Sequence, residues 1–400
     1  MHFSNIIAGL ALLSSAAAVP PPPTGPACPP AAPAPAPGLP GSPSPPGPPG
    51  PPGGPNPPKP SGPPKPPAGG EGPGKNQTLH QAMKKAGRSY IGTAVTLRNE
   101  TREVDVIRTE FNSMTPENAM KWESTEPSQG NFTFADGDRH AQFAKDNGLQ
   151  LRCHTLVWHS QLPTWVSQGG FDNATLIQVM EDHIKALGSR WNDYCGQWDV
   201  VNEALNENGT YRSSVFYDTI GEAFIPIAFR LAKKYAPKAL LFYNDYNIED
   251  NGPKTAGAVR IVKLIQSYGV HIDGVGYQGH LTSEPTNSNP GSAPDQATLE
   301  AALRATADLG VDVAYTELDV RLNVTTISAE SVAKQTAVWT NVAKACLAVE
   351  KCIGMTVWGV SDKYSWIPGV FRGEGEGLLF GAEYNRKDAY YGFLAGIEAS

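Results

Sequence analysis

From Leu79 to the C-terminus, short apolar runs alternate with longer stretches whose apolar positions recur every three to four residues. The first kind reads as strands and the second as amphipathic helices, and their alternation is the pattern of βα units around a parallel sheet. It predicts strands at 90–95 (YIGTAV), 111–115 (FNSMT), 149–156 (LQLRCHTL), 197–203 (QWDVVNE), 240–245 (LLFYND), 274–279 (GVGYQG), 311–319 (VDVAYTELD) and 354–359 (GMTVWG). Helical stretches such as ATLIQVMEDHIKALGSRW, GEAFIPIAFRLAKKYAP and TAGAVRIVKLIQSYG lie between them. The last closes on a glycine before the next strand, as helices commonly do. Eight strands, seven crossovers and a closing tail helix predict an α/β fold of the (β/α)8 TIM-barrel type rather than an open doubly wound sheet. No glycine-rich loop follows the first strand, which argues against a dinucleotide site.

Residues 20–75 break this pattern: they hold 27 of the 37 prolines, with glycine, alanine and serine filling most of the rest. Such a segment has too little apolar side chain to bury a core, and it reads as a disordered, polyproline-like arm. Ahead of it, an apolar run from Ile6 to Leu13 followed by small residues to Ala18 has the form of a secretory signal peptide over residues 1–19. That run is too short to span a bilayer. Residues 76–400 are left as one catalytic-sized domain. Six N-x-S/T sequons, at Asn76, Asn99, Asn131, Asn173, Asn208 and Asn323, agree with an extracellular destination.

The formal charge of -7 is spread along the chain, so there is no basic stripe for nucleic acid and no polybasic flank for a membrane. A neutral, hydrated substrate is compatible with it. The cysteines number five, an odd count. Cys346 and Cys352 flank a helix-to-strand corner and are expected to pair. Cys153 falls near the end of one expected strand and Cys195 before the start of the next, an offset of about 20 Å at ~3.3 Å per residue, so both are expected to be core thiols. Cys28 lies in the arm, free or bonded to another molecule.

In barrels of this kind the active site lies at the C-terminal ends of the strands. The fourth expected strand ends in Asn202-Glu203 and the seventh in Glu317-Leu318-Asp319, which places two glutamates at similar heights on opposite sides of one mouth. Two facing carboxyls are what glycosidic cleavage requires: one protonates the leaving oxygen while the other attacks the anomeric carbon.

The runs FNSMTPENAMKW, LRCHTLVWHSQLPTW, QWDVVNEAL, LFYNDYN, GVGYQGHL, TELD and TVWGVSDKYSW follow one another in this order, each at an expected strand end. Together they resemble glycoside hydrolase family 10, the barrel xylanases, over roughly four-fifths of the chain. The resemblance implies endo-hydrolysis of β-1,4-xylosidic bonds with retention, Glu203 as acid/base and Glu317 as nucleophile. It implies support from His280 and Asp319 around Glu317, and from Asn202 and Gln278 near the sugar 2-hydroxyl. Alternation along a strand puts residues 317 and 319 on one face, so His280 can bridge them. Glu117, Asn118, Lys121 and His154 match residues that bind the non-reducing-side sugars, and Trp158, Trp358 and Trp366 match aromatic walls. Tyr246, His159, Asn244 and Asp199 are further candidates around the centre. Xylan and xylo-oligosaccharides are the implied partners of a monomer. No Cys or His cluster has metal-ligand spacing, and no cofactor is expected. Two departures from the family pattern, Gly381 and the run Asn385-Arg386-Lys387-Asp388-Ala389-Tyr390, bear on barrel closure rather than chemistry.

Three rivals stand beside this reading, one of them a structural wall protein dominated by the proline arm, which would release no reducing sugar from any polysaccharide. A β-1,4-glucanase or mannanase on the same barrel differs in whether the pocket admits a hydroxymethyl group at sugar C5. A non-catalytic carbohydrate-binding protein would have lost the carboxylates, and both are present.

Overall fold

The computed structural model describes residues 77–399; the expected signal peptide, the proline-rich arm, Cys28 and the Asn76 sequon lie outside the described residues. The chain builds a barrel from β1 (Tyr90–Val95), β2 (Ser113–Pro116), β3 (Gln150–Trp158), β4 (Cys195–Asn202), β5 (Leu240–Asp245), β6 (Gly274–Tyr277), β8 (Asp312–Asn323) and β9 (Cys352–Val357). A short strand β7 (His280–Thr282) continues β6 after a two-residue interruption and pairs in parallel with β8. Each barrel strand pairs in parallel with its neighbours, and β9 pairs with β1, Tyr90 opposite Gly354, so the sheet closes. Every residue of β1 and β2 is buried, as expected for strands covered on both faces.

Helices form the outer ring. The helix Asn173–Trp191 starts where Asp172 accepts the Thr175 amide hydrogen at 2.8 Å, and it buries Leu176, Val179, Met180, His183, Ile184, Leu187 and Trp191 along one stripe. The last helix, Asp388–Glu398, packs on the helix Ala329–Ala348 through Gly392 and Gly396. A β-carbon at Gly392 would stand 2.7 Å from the Thr336 carbonyl oxygen, and one at Gly396 2.6 Å from that of Thr340. The two backbones therefore approach at a distance that only glycine permits. The departures at Gly381 and 385–390 leave the barrel closed; the Gly381 amide donates to the Asn385 carbonyl at 3.0 Å.

Two expectations from sequence change. Cys153 and Cys195 are not separate thiols: they form a disulfide with Cα atoms 5.7 Å apart. Cys153 is the fourth residue of a longer strand rather than near its end, and β4 begins at Cys195 itself, with Leu151 opposite Cys195. The two strands are therefore neighbours at the level of both cysteines, with one extra residue in β4 between the Leu151–Cys195 and Arg152–Gln197 pairs. The Cys346–Cys352 pair forms as expected. The expected strand 274–279 breaks at Gln278-Gly279, and β8 runs on to Asn323 because β7 and the short strand Glu374–Gly375 both pair with its far half.

Candidate active site

A cleft of about 830 Å³ opens at the C-terminal ends of the strands, with Glu203 and Glu317 in its lining. A larger depression of about 1140 Å³ lies on the outer wall between the helices Ala135–Asp146 and Asn173–Trp191, and neither glutamate reaches it.

Glu203 sits one residue past the end of β4 with φ +56°, a region non-glycine residues seldom occupy. Its backbone is held from both sides: its amide donates to the Asn244 carbonyl at 2.9 Å, and its carbonyl accepts from Arg212 Nε at 3.0 Å. This turn sends the side chain into the cleft. Oε2 accepts from Trp158 Nε1 at 2.8 Å, while Oε1 accepts from Gln278 Nε2 at 3.0 Å and Asn202 Nδ2 at 3.5 Å. All three donors are neutral.

Glu317 lies inside β8 and is 5% exposed. Oε1 accepts from Asn244 Nδ2 at 2.8 Å, and Oε2 lies 3.2 Å from His280 Nε2. The opposite ring nitrogen of His280, Nδ1, stands 2.9 Å from Asp319 Oδ2, which also accepts from Trp366 Nε1 at 2.9 Å. Burial alone would push the Glu317 carboxyl up, but the hydrogen bond from His280 and the imidazoles of His154 and His280 outweigh it and hold the group below the ordinary carboxylate range. Burial works against charge on His280 too. The Asp319 carboxylate and the two hydrogen bonds overcome it and raise the ring to about 10. With carboxylates on both nitrogens, His280 is an imidazolium donating to each.

The two glutamates are joined through neutral side chains. Asn244 Nδ2 bonds Glu317 and, at 2.9 Å, Asn202 Oδ1, while Gln278 Nε2 bonds Glu203 and, at 3.3 Å, the same Asn202 oxygen. Asn244, a lesser candidate from sequence, thus touches Glu317 directly.

Glu117, Asn118, Lys121, His154, Trp158, Tyr246, Trp358 and Trp366 line the same cleft, with Asp199 and His159 behind it. Thr96 Oγ1 donates to Glu117 at 2.7 Å, and Asn118 Oδ1 accepts from Lys121 Nζ at 2.9 Å. Lys121 also lies 5.0 Å over the Trp158 ring, and burial lowers its ammonium pKa against the pull of Glu317, Glu117 and Glu203. His154 Nδ1 lies 2.9 Å from Asp199 Oδ2, and Asp199 is itself paired with the buried Arg152. The Trp358 ring meets His154 edge-on at 5.4 Å, and Trp366 stands 4.9 Å from the His280 ring. Tyr246 accepts from Arg212 at 2.7 Å with Lys254 over its ring at 3.4 Å. His159 sits behind Trp158, with burial lowering its pKa. Sequence reasoning did not single out Gln161, whose Oε1 accepts from Lys121 at 2.6 Å, although it stands in the HSQLP run next to two candidates. Arg152 was missed because nothing local distinguishes an arginine that points into a barrel from one that points to water.

Residues 78–395 match the model of glycosyl hydrolase family 10. The chain is 59% identical over 329 residues to endo-1,4-beta-xylanase 2 of Aureobasidium pullulans, covering 81% of this chain and 91% of that protein. It is 54% identical over 323 residues to endo-1,4-beta-xylanase 1 of Gibberella zeae, covering 80% and 91%. Among solved structures, xylanase 10B from Thermotoga petrophila in complex with xylobiose superposes with a TM-score of 0.76 at 36% identity, over 82% of this chain and 99% of that one. Seven ordered motifs, a closed parallel barrel and two cross-linked carboxylates thus agree with these matches, and the chain belongs to glycosyl hydrolase family 10.

Proposed function

We propose that this chain cuts internal β-1,4-xylosidic bonds of xylan by a retaining double displacement, with Glu203 as acid/base and Glu317 as nucleophile. Activity on xylan is what family membership and the xylanase relatives support. The observation that carries the division of roles is the contrast in partners: an imidazolium on Glu317 and neutral donors alone on Glu203. An ionised, buried carboxylate aimed into the cleft is a nucleophile, whereas a carboxyl without a bonded cation can carry the proton that the leaving oxygen takes.

In the first step Glu203 gives its proton to the glycosidic oxygen as Glu317 attacks the anomeric carbon, and a covalent glycosyl-enzyme forms. In the second, Glu203 takes a proton from the water that displaces Glu317. Asn202 and Gln278 supply amides beside the reacting sugar, where contacts to the 2-hydroxyl strengthen in the transition state. Glu117, Asn118, Lys121 and His154 provide polar contacts to the non-reducing-side sugars. Trp358 and Trp366 offer the apolar surface on which sugar C–H groups pack, and they close over C5 so that a hydroxymethyl group is excluded. The reading extends to an extracellular enzyme delivered by residues 1–19, with 20–75 as spacer and 76–400 as catalytic domain.

The experiment is Glu203→Ala. Its activity on xylan is expected to fall by about 10²- to 10⁴-fold, with a much smaller loss on an aryl xyloside whose leaving group needs no proton. Azide should restore turnover by replacing water at the intermediate. Equal losses on both substrates would remove Glu203 from the acid role. Equal wild-type initial rates on xylan and soluble cellulose would remove the xylan preference.

A further inference from the structure

The barrel's sixth strand changes direction between β6 and β7, at the residues that serve both carboxylates. Gln278 donates to Glu203, and His280, two residues on, donates to Glu317. Between them Gly279 adopts φ +74°, and a β-carbon there would stand 2.6 Å from Leu318 Cδ2, so only glycine fits this turn. The backbone around it is tied almost completely. The Gln278 amide donates to the Asp245 carbonyl at 2.9 Å, the Gln278 carbonyl accepts from the Glu317 amide at 2.8 Å, and the Gly279 carbonyl accepts from the Asp319 amide at 3.3 Å.

The Gly279 amide is different. The neighbouring strand β5 has already ended at Asp245, so no ladder carbonyl reaches that hydrogen. Its acceptor is Glu249 Oε1, at 2.7 Å, from the loop that follows β5. Glu249 is 3% exposed, and its loop is pinned where Thr255 Oγ1 donates to the Ile248 carbonyl at 2.8 Å. A buried carboxyl held by main-chain hydrogens alone is costly, because burial penalises its charge, and here burial pushes it up to about 7 against the hydrogen bonds from the Gly279 amide and its own amide and the fields of His280 and Lys254.

We infer that Glu249 is a positioning residue for the reaction: its hydrogen bond to the Gly279 amide fixes the Gln278–His280 turn and thereby aims both catalytic carboxylates at once. It touches neither the cleft residues that bind the non-reducing-side sugars nor the carboxylates themselves, so its effect falls on the chemical step rather than on ground-state binding. The inference rests on the roles proposed above for Glu203 and Glu317.

The test uses three variants of the full chain on a xylo-oligosaccharide of fixed length. Glu249→Ala removes the acceptor, Glu249→Asp keeps the charge but is too short to reach, and Glu249→Gln keeps a carbonyl at the same reach. Alanine and aspartate are expected to lower kcat about 10- to 100-fold, the scale on which outer-shell partners act in metal sites, with KM little changed. Glutamine is expected to restore most of kcat. Losses in the aspartate variant that glutamine does not restore, or a folded alanine or aspartate variant with wild-type kcat, would overturn the clamp. A slow-turnover fluorinated xyloside that labels the nucleophile separates the two proposals. Wild-type labelling elsewhere than Glu317 sinks the role assignment, and wild-type labelling at Glu317 with unaltered labelling rates in the variants sinks Glu249 alone.

Discussion

Glu203 stands just beyond the end of β4 and takes hydrogen bonds from three neutral donors, whereas Glu317 stands within β8 and shares one oxygen with a charged imidazole. Below Glu203, strands β3 and β4 are tied by the Cys153–Cys195 disulfide. No disulfide ties β8 itself among the described residues; the Glu317 carboxylate is held by the Asn244, His280 and Asp319 network. The difference teaches that two chemically identical side chains facing one cleft acquire separate environments from what their strands bring beside them. A left-handed turn frees Glu203 from the sheet, while a strand extended by β7 keeps Glu317 in the ladder, two residues before Asp319, the residue that His280 faces.

The largest expected break in this comparison is Glu317→Gln. It removes the charge while keeping the Asn244 contact, and kcat on xylan should fall by at least about 10⁴-fold, as when a covalent nucleophile is lost elsewhere. Activity within tenfold of wild type would show that the buried carboxylate is not the attacking group.

Next is His280→Asn, which abolishes the asymmetry without touching either glutamate. Without the imidazolium, burial pushes the Glu317 carboxyl up, so the acidic limb of the kcat profile should move to higher pH, with kcat reduced about 10- to 100-fold. Stability carries the opposite sign. The His280 value lies above the ordinary 6.5, so its contribution is full below pH 6.5 and is lost as pH rises through about 10. Glu317, held below the ordinary range, contributes above that range and loses its share as pH falls through its folded value. Calorimetry of the wild type should therefore show a fall between pH 6.5 and 10 that the His280→Asn variant lacks. An unmoved acidic limb would leave His280 as a core histidine only.

The smallest effect on rate is expected from removing the staple beneath Glu203. Cys153→Ser with Cys195→Ser opens a link spanning 42 residues, with a cost of roughly 4 kcal/mol on chain entropy alone. The corresponding change at Cys346 and Cys352, spanning 6, should cost roughly 2. Thermal unfolding should rank the two accordingly, while kcat and the pH profile of the folded enzyme stay as in wild type. A shifted acid limb in the Cys153 variant would mean that the staple positions Glu203 as well as stabilising its strands.

Much was legible before any coordinates. Periodicity located all eight barrel strands, because burial on both faces forces continuous apolar runs whose ends are marked by turns and helix caps. Strand ends in turn nominated Glu203 and Glu317, and alternation put 317 and 319 on one face, which is how His280 comes to bond both. Three things were decided only by the tertiary structure. Register is one: β4 starts at Cys195 with Leu151 opposite, which brings Cys195 within reach of Cys153, and no local pattern records which residues of neighbouring strands stand opposite each other. The turn at Gln278-Gly279 is another, since its glycine conformation and its acceptor Glu249 come from segments 30 residues apart. The third is the charge state of the site. A carboxylate's behaviour depends on which cations and amides the barrel gathers within hydrogen-bond reach, and those arrive at Glu317 from β5 and β7, strands whose distance along the chain says nothing about their distance in space.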